Sequence, residues 1–300
     1  MSDISGMYPI IMALLSSLMF ALTFICVRIG VKTATTTTAL WITLFINVLF
    51  LWALSLMLYG AQFNQWWEWR YFFLSGMFAP LLGRMFQFQG MARLGANITT
   101  PLTLTHPVVS VLLAIAFLGE VITWLGFSGA MLVVIGSVIV GSEGGQQSTR
   151  TLARVPRRYL LLPLAASICY GISVVFRKMG IDLGTDAITA AAVTCTSSWF
   201  FASIYVLFSG QTSQIRCTRR EMAFFVLAGI FSGLGPMLLY MALEREALVV
   251  IAPISATTPL FVLIVSWLLL RADELFTPKV LIGTVATVAG VILVSAYGIA

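Results

Sequence analysis

"ITTPLTLTHPVVSVLL", residues 98–113, is apolar enough to lie in a membrane, yet it holds two prolines, four threonines and the chain's single histidine. Set beneath it, "VIAPISATTPLFVLIV", residues 250–265, repeats the interruption: Pro101 and Pro107 fall on Pro253 and Pro259, each 152 positions on. Gly83 and Gly235 keep the same offset upstream. Downstream, after a two-residue insertion, "GEVITWLGFSGAMLVVIGSVIV" aligns with "DELFTPKVLIGTVATVAGVILV", which pairs Glu120 with Glu274, Gly129 with Gly283 and Gly136 with Gly290. The beginnings agree as well, since "ALLSSLMFALTFICVRIG" at 13–30 sits over "PLAASICYGISVVFRKMG" at 163–180 and matches Phe20 to Tyr170, Thr23 to Ser173, Arg28 to Lys178 and Gly30 to Gly180. Landmarks at nearly constant spacing across both halves indicate duplication.

Composition says what is duplicated. The 300 residues are 60% apolar and only 9% charged, with a mean hydropathy of +1.00, whereas a soluble domain is about a quarter charged. The fold class is therefore an all-α integral membrane protein. At about 20 residues per span, ten candidates are expected near 8–28, 37–59, 70–91, 96–118, 122–141, 159–179, 187–209, 222–243, 248–270 and 277–297. "GSEGGQQSTRTLARVPRR" at 141–158, with four arginines, has linker composition. The organisation expected is a five-span repeat over 1–143, a basic linker over 144–158 and a second five-span repeat over 159–300. Five is odd, so the second half enters the membrane in the opposite sense, which makes the repeats inverted, the plan of many secondary transporters.

The N-terminus "MSDISGM" lacks the basic region of a cleaved signal, so the first span is expected to stay. Cys26, Cys169, Cys195 and Cys217 have no metal-ligand or redox spacing and are expected to be small packing residues. The net charge of +6 bears on topology rather than nucleic acid. Loops after odd-numbered spans carry twelve Lys and Arg, the others Arg70, Arg177, Lys178 and Arg245, which favours non-cytoplasmic termini.

These residues carry a resemblance. Five-plus-five spans, Gly119–Glu120 before a glycine-rich helix, "MARLGANITTP" at 91–101 and "MALEREALVVIAP" at 241–253 resemble the drug/metabolite transporter superfamily, in particular its EamA-type ten-helix carriers, over practically the whole chain. Within it the sequence is most similar to the YddG-type exporters of amino acids and metabolites. The resemblance implies an exporter in the bacterial inner membrane with a central cavity between the halves. Two departures stand out: "RADE" replaces a simple "GE" in the second half, and many relatives are read with cytoplasmic termini.

A proline inside a helix removes a donor and displaces the carbonyl four residues back. For Pro101, Pro107, Pro253 and Pro259 those carbonyls belong to Asn97, Thr103, Val249 and Ser255. Unpaired backbone groups in lipid are tolerated where hydroxyls or a watery cavity satisfy them, and Thr99, Thr100, Thr103, Thr105, Ser255, Thr257 and Thr258 can supply hydroxyls. Paired breaks in inverted halves point to the transport path; kinks relieved locally, without substrate contact, are the plainer alternative. Arg84, in "LLGRMFQFQGM", is a charge inside a span, with Gln87 and Phe88 on its helical face. It is expected to attract the carboxylate of a solute, to cap carbonyls freed by the prolines, or, where its span is shifted, to snorkel to the interface. His106, on the candidate lining, is expected to be a hydrogen-bonded packing residue rather than a proton carrier, and Trp41, Phe86, Phe88, Tyr170, Trp199 and Tyr240 are candidate cavity aromatics. Asn97, Thr103, Ser255 and Thr258 complete the candidate lining. The paired glycines, seven apart on one face, pack either within the monomer or in a homodimer, although a monomer is sufficient for transport.

The acidic residues considered fall at span ends, so exchange of organic cations for protons is disfavoured. Sugar-phosphate carriage needs several buried cations, and only Arg84 qualifies on this reading. No metal cluster, phosphate-binding glycine loop or assembled Ser/His/Asp set is present in the sequence, so an enzyme is disfavoured and no cofactor is expected. The partners expected are a small-molecule substrate and the lipid bilayer, not nucleic acid. A secondary transporter of small metabolites, amino acids with aromatic or apolar side chains foremost, is the reading; a passive channel, a lipid scramblase and an integral membrane enzyme are the alternatives.

Overall fold

The computed structural model describes residues 2–30, 34–60, 67–94, 99, 102–143, 157–210, 215–270 and 278–297. Helices account for the regular structure: α1 (Ser2–Gly30), α2 (Thr36–Tyr59), α3 (Arg70–Gly76), α4 (Arg84–Leu94), α5 (His106–Leu113), α6 (Trp124–Glu143), α7 (Leu161–Ile181), α8 (Ala187–Phe208), α9 (Arg219–Leu243), α10 (Leu248–Ser255), α11 (Thr258–Leu270) and α12 (Pro278–Tyr297). Helices containing Met7–Val27, Thr37–Tyr59, Arg158–Ile181, Ala187–Phe208 and Arg219–Leu243 are long and apolar enough to cross a membrane. Shorter apolar helices run over His106–Leu118, Trp124–Ile139, Leu248–Val262 and Leu281–Val294.

Local chemistry sets several starts. The Thr35 hydroxyl accepts from Thr38 N–H, Asp186 accepts from Ile188 and Thr189, and Thr218 with Glu221 forms a reciprocal capping box at α9. Each satisfies donors that the first helical turn cannot bond internally. The third expected span is continuous but not uniform. A widened π-helical stretch, Met77–Gly83, joins α3 to α4 and contains Pro80, which has no N–H to give the helix. The span expected at 248–270 is broken between α10 and α11, at residues 256–257, just ahead of Pro259.

The duplicated landmarks meet crosswise. A Cβ on Gly83 would lie 2.9 Å from the Tyr170 ring, and a Cβ on its counterpart Gly235 would lie 3.1 Å from the ring of Phe20, the counterpart of Tyr170. Gly30 likewise faces Phe224 and Phe225 while Gly180 faces Phe72. Along α1 the contacts advance from residue 20 to 30 as those on α9 retreat from 235 to 224, and the same reversal relates α7 to α3 and the π-helical stretch that follows it. Aromatic rings thus fill hollows left by glycine, which brings the backbones together.

The same reciprocity joins α6 to α12. A Cβ on Gly129 would come within 2.9 Å of Gly290 O, and one on Gly136 within 2.5 Å of Gly283 O. The glycine faces therefore pack within the chain, which resolves the choice left open by their spacing.

α10 is the most enclosed element. Leu248, Val249, Ile251 and Ile254 are fully buried, as expected for a helix apolar on every side. Its start receives a charge from the other half: the Glu120 carboxylate accepts from Leu248 N–H at 2.9 Å and from Val249 N–H at 2.8 Å. Free amides at a helix N-terminus favour an anion there.

Two outcomes test this packing. Gly136→Leu is expected to cost roughly 1–3 kcal/mol and to move the detergent-purified protein towards aggregate on size exclusion, while Ser128→Leu on the exposed side of α6 leaves the profile unchanged. Glu120→Ala, which leaves two buried amides without acceptors, is expected to lower stability by about 2 kcal/mol in thermal unfolding, with Glu120→Gln losing less.

Candidate functional site

The sequence marked both broken regions, and the structure shows how their backbones are satisfied. Thr103 O, displaced by Pro107, lies 3.2 Å from His106 Nδ1, a pairing that requires the tautomer with hydrogen on Nδ1. Ser255 O, displaced by Pro259, accepts from Ser17 Oγ and from Thr258 Oγ1, both at 3.1 Å. Thr103 Oγ1 donates to Thr99 O at 2.8 Å, and Ser255 Oγ to Ala252 O at 2.7 Å. Of the donors to the two displaced carbonyls, only Thr258 is a local hydroxyl of the kind the sequence offered; His106 supplies a ring nitrogen. Ser17, reaching across from α1, was missed because nothing in its own helix marks it. Pro107 is buried at the first turn of α5, and Pro253 is buried near the end of α10. Asn97, Pro101 and the side chain of Phe88 lie outside the described residues.

Tyr170 is the junction of the site. Its hydroxyl donates to Gln87 Oε1 at 2.9 Å, its ring lies 5.7 Å from the His106 ring, and its edge rests on Gly83. The charge of Arg84 acts on the same hydroxyl. Thus α4, α5 and α7 converge on one aromatic side chain, and Arg84, Gln87, His106 and Tyr170 are brought together.

Arg84 also opens onto a cavity of about 200 Å³ between α2, α4 and α8, whose other walls include Trp41, Met85, Gln89 and Tyr205. Trp41 stacks on Phe45 at 5.7 Å, and both rings approach Trp199, at 5.7 and 5.5 Å. Trp199 Nε1 is buried with no hydrogen-bond partner among the described residues, while Trp41 Nε1 donates to Ser203 Oγ. An aromatic wall beside one guanidinium suits a ligand with an apolar body and an anionic head. Gln89 and Phe45 were not read from the sequence as site residues, and Trp41 only as one of the candidate cavity aromatics; helical spacing from Arg84 and Trp199 gave no sign of Phe45.

Tyr240 belongs elsewhere. It is fully buried, its hydroxyl pairs with Thr194 Oγ1 at 2.6 Å, and its ring lies 5.7 Å from Phe72 in edge-on contact. It is a core residue rather than a wall of the cavity that Arg84 lines. A further correction concerns charge. Arg177, assigned to a span end in the sequence reading, is only 8% exposed, so Arg84 is not alone as an enclosed cation. Neither assignment was recoverable from spacing, because Tyr240 and Arg177 lie close to helix ends in sequence and are buried by neighbouring helices.

The family's sequence profile matches residues 7–142 and, a second time, residues 157–296. The chain belongs to the EamA-like transporter family. It is accordingly a multi-pass membrane protein of a transporter family built from two copies of the family unit. No curated protein matches the sequence. A solved crystal structure of a protein aligns with a TM-score of 0.79 at 14% identity, covering 95% of this chain and 97% of that one; the likeness is one of fold. Among the described residues of this EamA-like chain, no three His, Cys, Asp or Glu side chains are grouped to hold a metal.

Tyr170→Phe separates packing from polarity. Removing the hydroxyl costs about 1 kcal/mol of stability, and the variant is expected to remain monodisperse while transport of a carboxylate-bearing solute falls several-fold in proteoliposomes.

Proposed function

We propose that the chain is a secondary transporter that exports small metabolites, amino acids with aromatic or apolar side chains foremost, across the bacterial inner membrane. The observation that carries this reading is the convergence of Arg84, Gln87 and Tyr170 beside the interrupted span and an aromatic-walled cavity. Arg84 attracts the carboxylate, Gln87 and Tyr170 hold the head group, and Trp41, Phe45 and Trp199 receive the apolar body.

The mechanism proposed is alternating access between two inverted five-span repeats, ten spans in all, divided at the basic segment 144–158. Its support is the crosswise pairing of duplicated residues: Phe20 on Gly235 mirrors Tyr170 on Gly83, and contacts that run in opposite senses are what halves of opposite orientation require. Rocking one half against the other exposes the same cavity first to one side and then to the other. Placement among the YddG-type exporters rests on the sequence resemblance, and non-cytoplasmic termini on the excess of Lys and Arg after odd-numbered spans.

Counterflow tests the proposal. Proteoliposomes preloaded with unlabelled phenylalanine are expected to take up labelled phenylalanine faster and saturably, with little response to an imposed pH gradient. Arg84→Ala is expected to lower that uptake about tenfold or more while the protein stays folded. Uptake linear in concentration and indifferent to preloading would mark a channel, and no uptake above protein-free vesicles would remove the amino-acid assignment.

A further inference from the structure

Arg177 stands outside the site just described. It lies seven residues from Tyr170 on the same face of α7, about 10 Å along the helix. Its Nε donates to Ser75 Oγ at 3.1 Å. Ser173 Oγ donates to Ser75 O at 3.0 Å, so Ser75 Oγ, 2.7 Å from Ser173 Oγ, spends its own hydrogen there. The guanidinium lies 5.6 Å from the centre of the Tyr240 ring, a favourable place for a cation.

That accounts for one of the five N–H donors of the guanidinium. The four on the terminal nitrogens have no acceptor among the described residues, and the residue keeps a small exposed area. Nor is a carboxylate paired with it among the described residues. Asp182 pairs with Lys178 at 3.0 Å, Asp186 caps α8, Glu244 accepts from Ala187 N–H and Glu221 is in the capping box of α9. An arginine cannot shed its charge, and a buried, unneutralised one is costly. Arg177 and Arg84 both lie close enough to act electrostatically on the buried Cys195.

We propose that Arg177 is a second anion-binding group, which takes the carboxylate of the transported amino acid at a station distinct from Arg84. The inference rests on the amino-acid transport reading above. Tyr170, which Arg84 and Gln87 approach from α4, and Arg177 are some two helical turns apart along α7, and the two guanidiniums hand the carboxylate on as the solute moves through the protein. Ser75 and Tyr240 hold the Arg177 plane so that its outer edge presents two parallel donors, the geometry that suits a carboxylate.

The test is isothermal titration of the full-length protein in detergent with L-phenylalanine and with L-phenylalaninamide, which lacks the carboxylate. Arg177→Gln is expected to weaken phenylalanine binding about tenfold with the amide little changed, and Arg177→Lys to recover part of the preference. An unchanged preference in Arg177→Gln overturns the proposal and leaves the transport reading intact. Should Arg177→Gln not be recovered as monodisperse protein, Ser75→Ala keeps the charge and removes its anchor: selective weakening of the carboxylate ligand supports the proposal, and equal weakening of both ligands overturns it. Wild-type protein that binds neither compound overturns the amino-acid reading and this inference together.

Discussion

The contact of an aromatic ring with a facing glycine, made once by Tyr170 on Gly83 and again by Phe20 on Gly235, is the constraint on which the assembly turns. In lipid, helices gain little from hiding apolar surface, so close packing and polar bonds must hold them. A side chain at either glycine would push the helices apart and take with it the bonds that depend on their spacing. Ser16 Oγ to Gly235 O, at 2.7 Å, is one of these; Tyr170 to Gln87 is another. The two contacts also fix which parts of the halves can touch, and the polar groups gather where they do.

Much of this architecture was legible in the sequence, because duplication leaves its mark on residue types that have few substitutes. Glycine is retained where backbones meet, and proline where a helix is interrupted. Helices over 2–30, 36–59, 161–181, 187–208 and 219–243 follow from apolar length alone. The break between Ser255 and Thr258 follows from Pro259. The π-helical stretch at 77–83 did not follow, since a proline in an apolar run does not say whether the helix will kink, widen or stop.

The candidate site was legible in its polar members and less so in its aromatic ones. Arg84 and Gln87 are conspicuous because lipid penalises them, and three-residue spacing puts them on one face. An aromatic residue costs nothing in lipid, so position alone could not separate Trp199, close to the cavity wall, from Tyr240, sealed in the core. Arg177 was misread for a related reason. Four residues from the end of α7, it has the sequence address of a surface cation, and only the packing of α3, α8 and α9 encloses it.

The bond from Glu120 to the start of α10 has a consequence for biosynthesis. A ribosome working from the N-terminus delivers Glu120 to the membrane well before residues 248 and 249. Until the first half is in place, the leading amides of α10 have no carboxylate to receive them, and a short apolar helix with open amides is poorly suited to enter lipid alone. The order of synthesis therefore matches the order in which the helices can be satisfied: the early half serves as a template into which α10 is threaded late, closing the bundle around the most buried element of the chain.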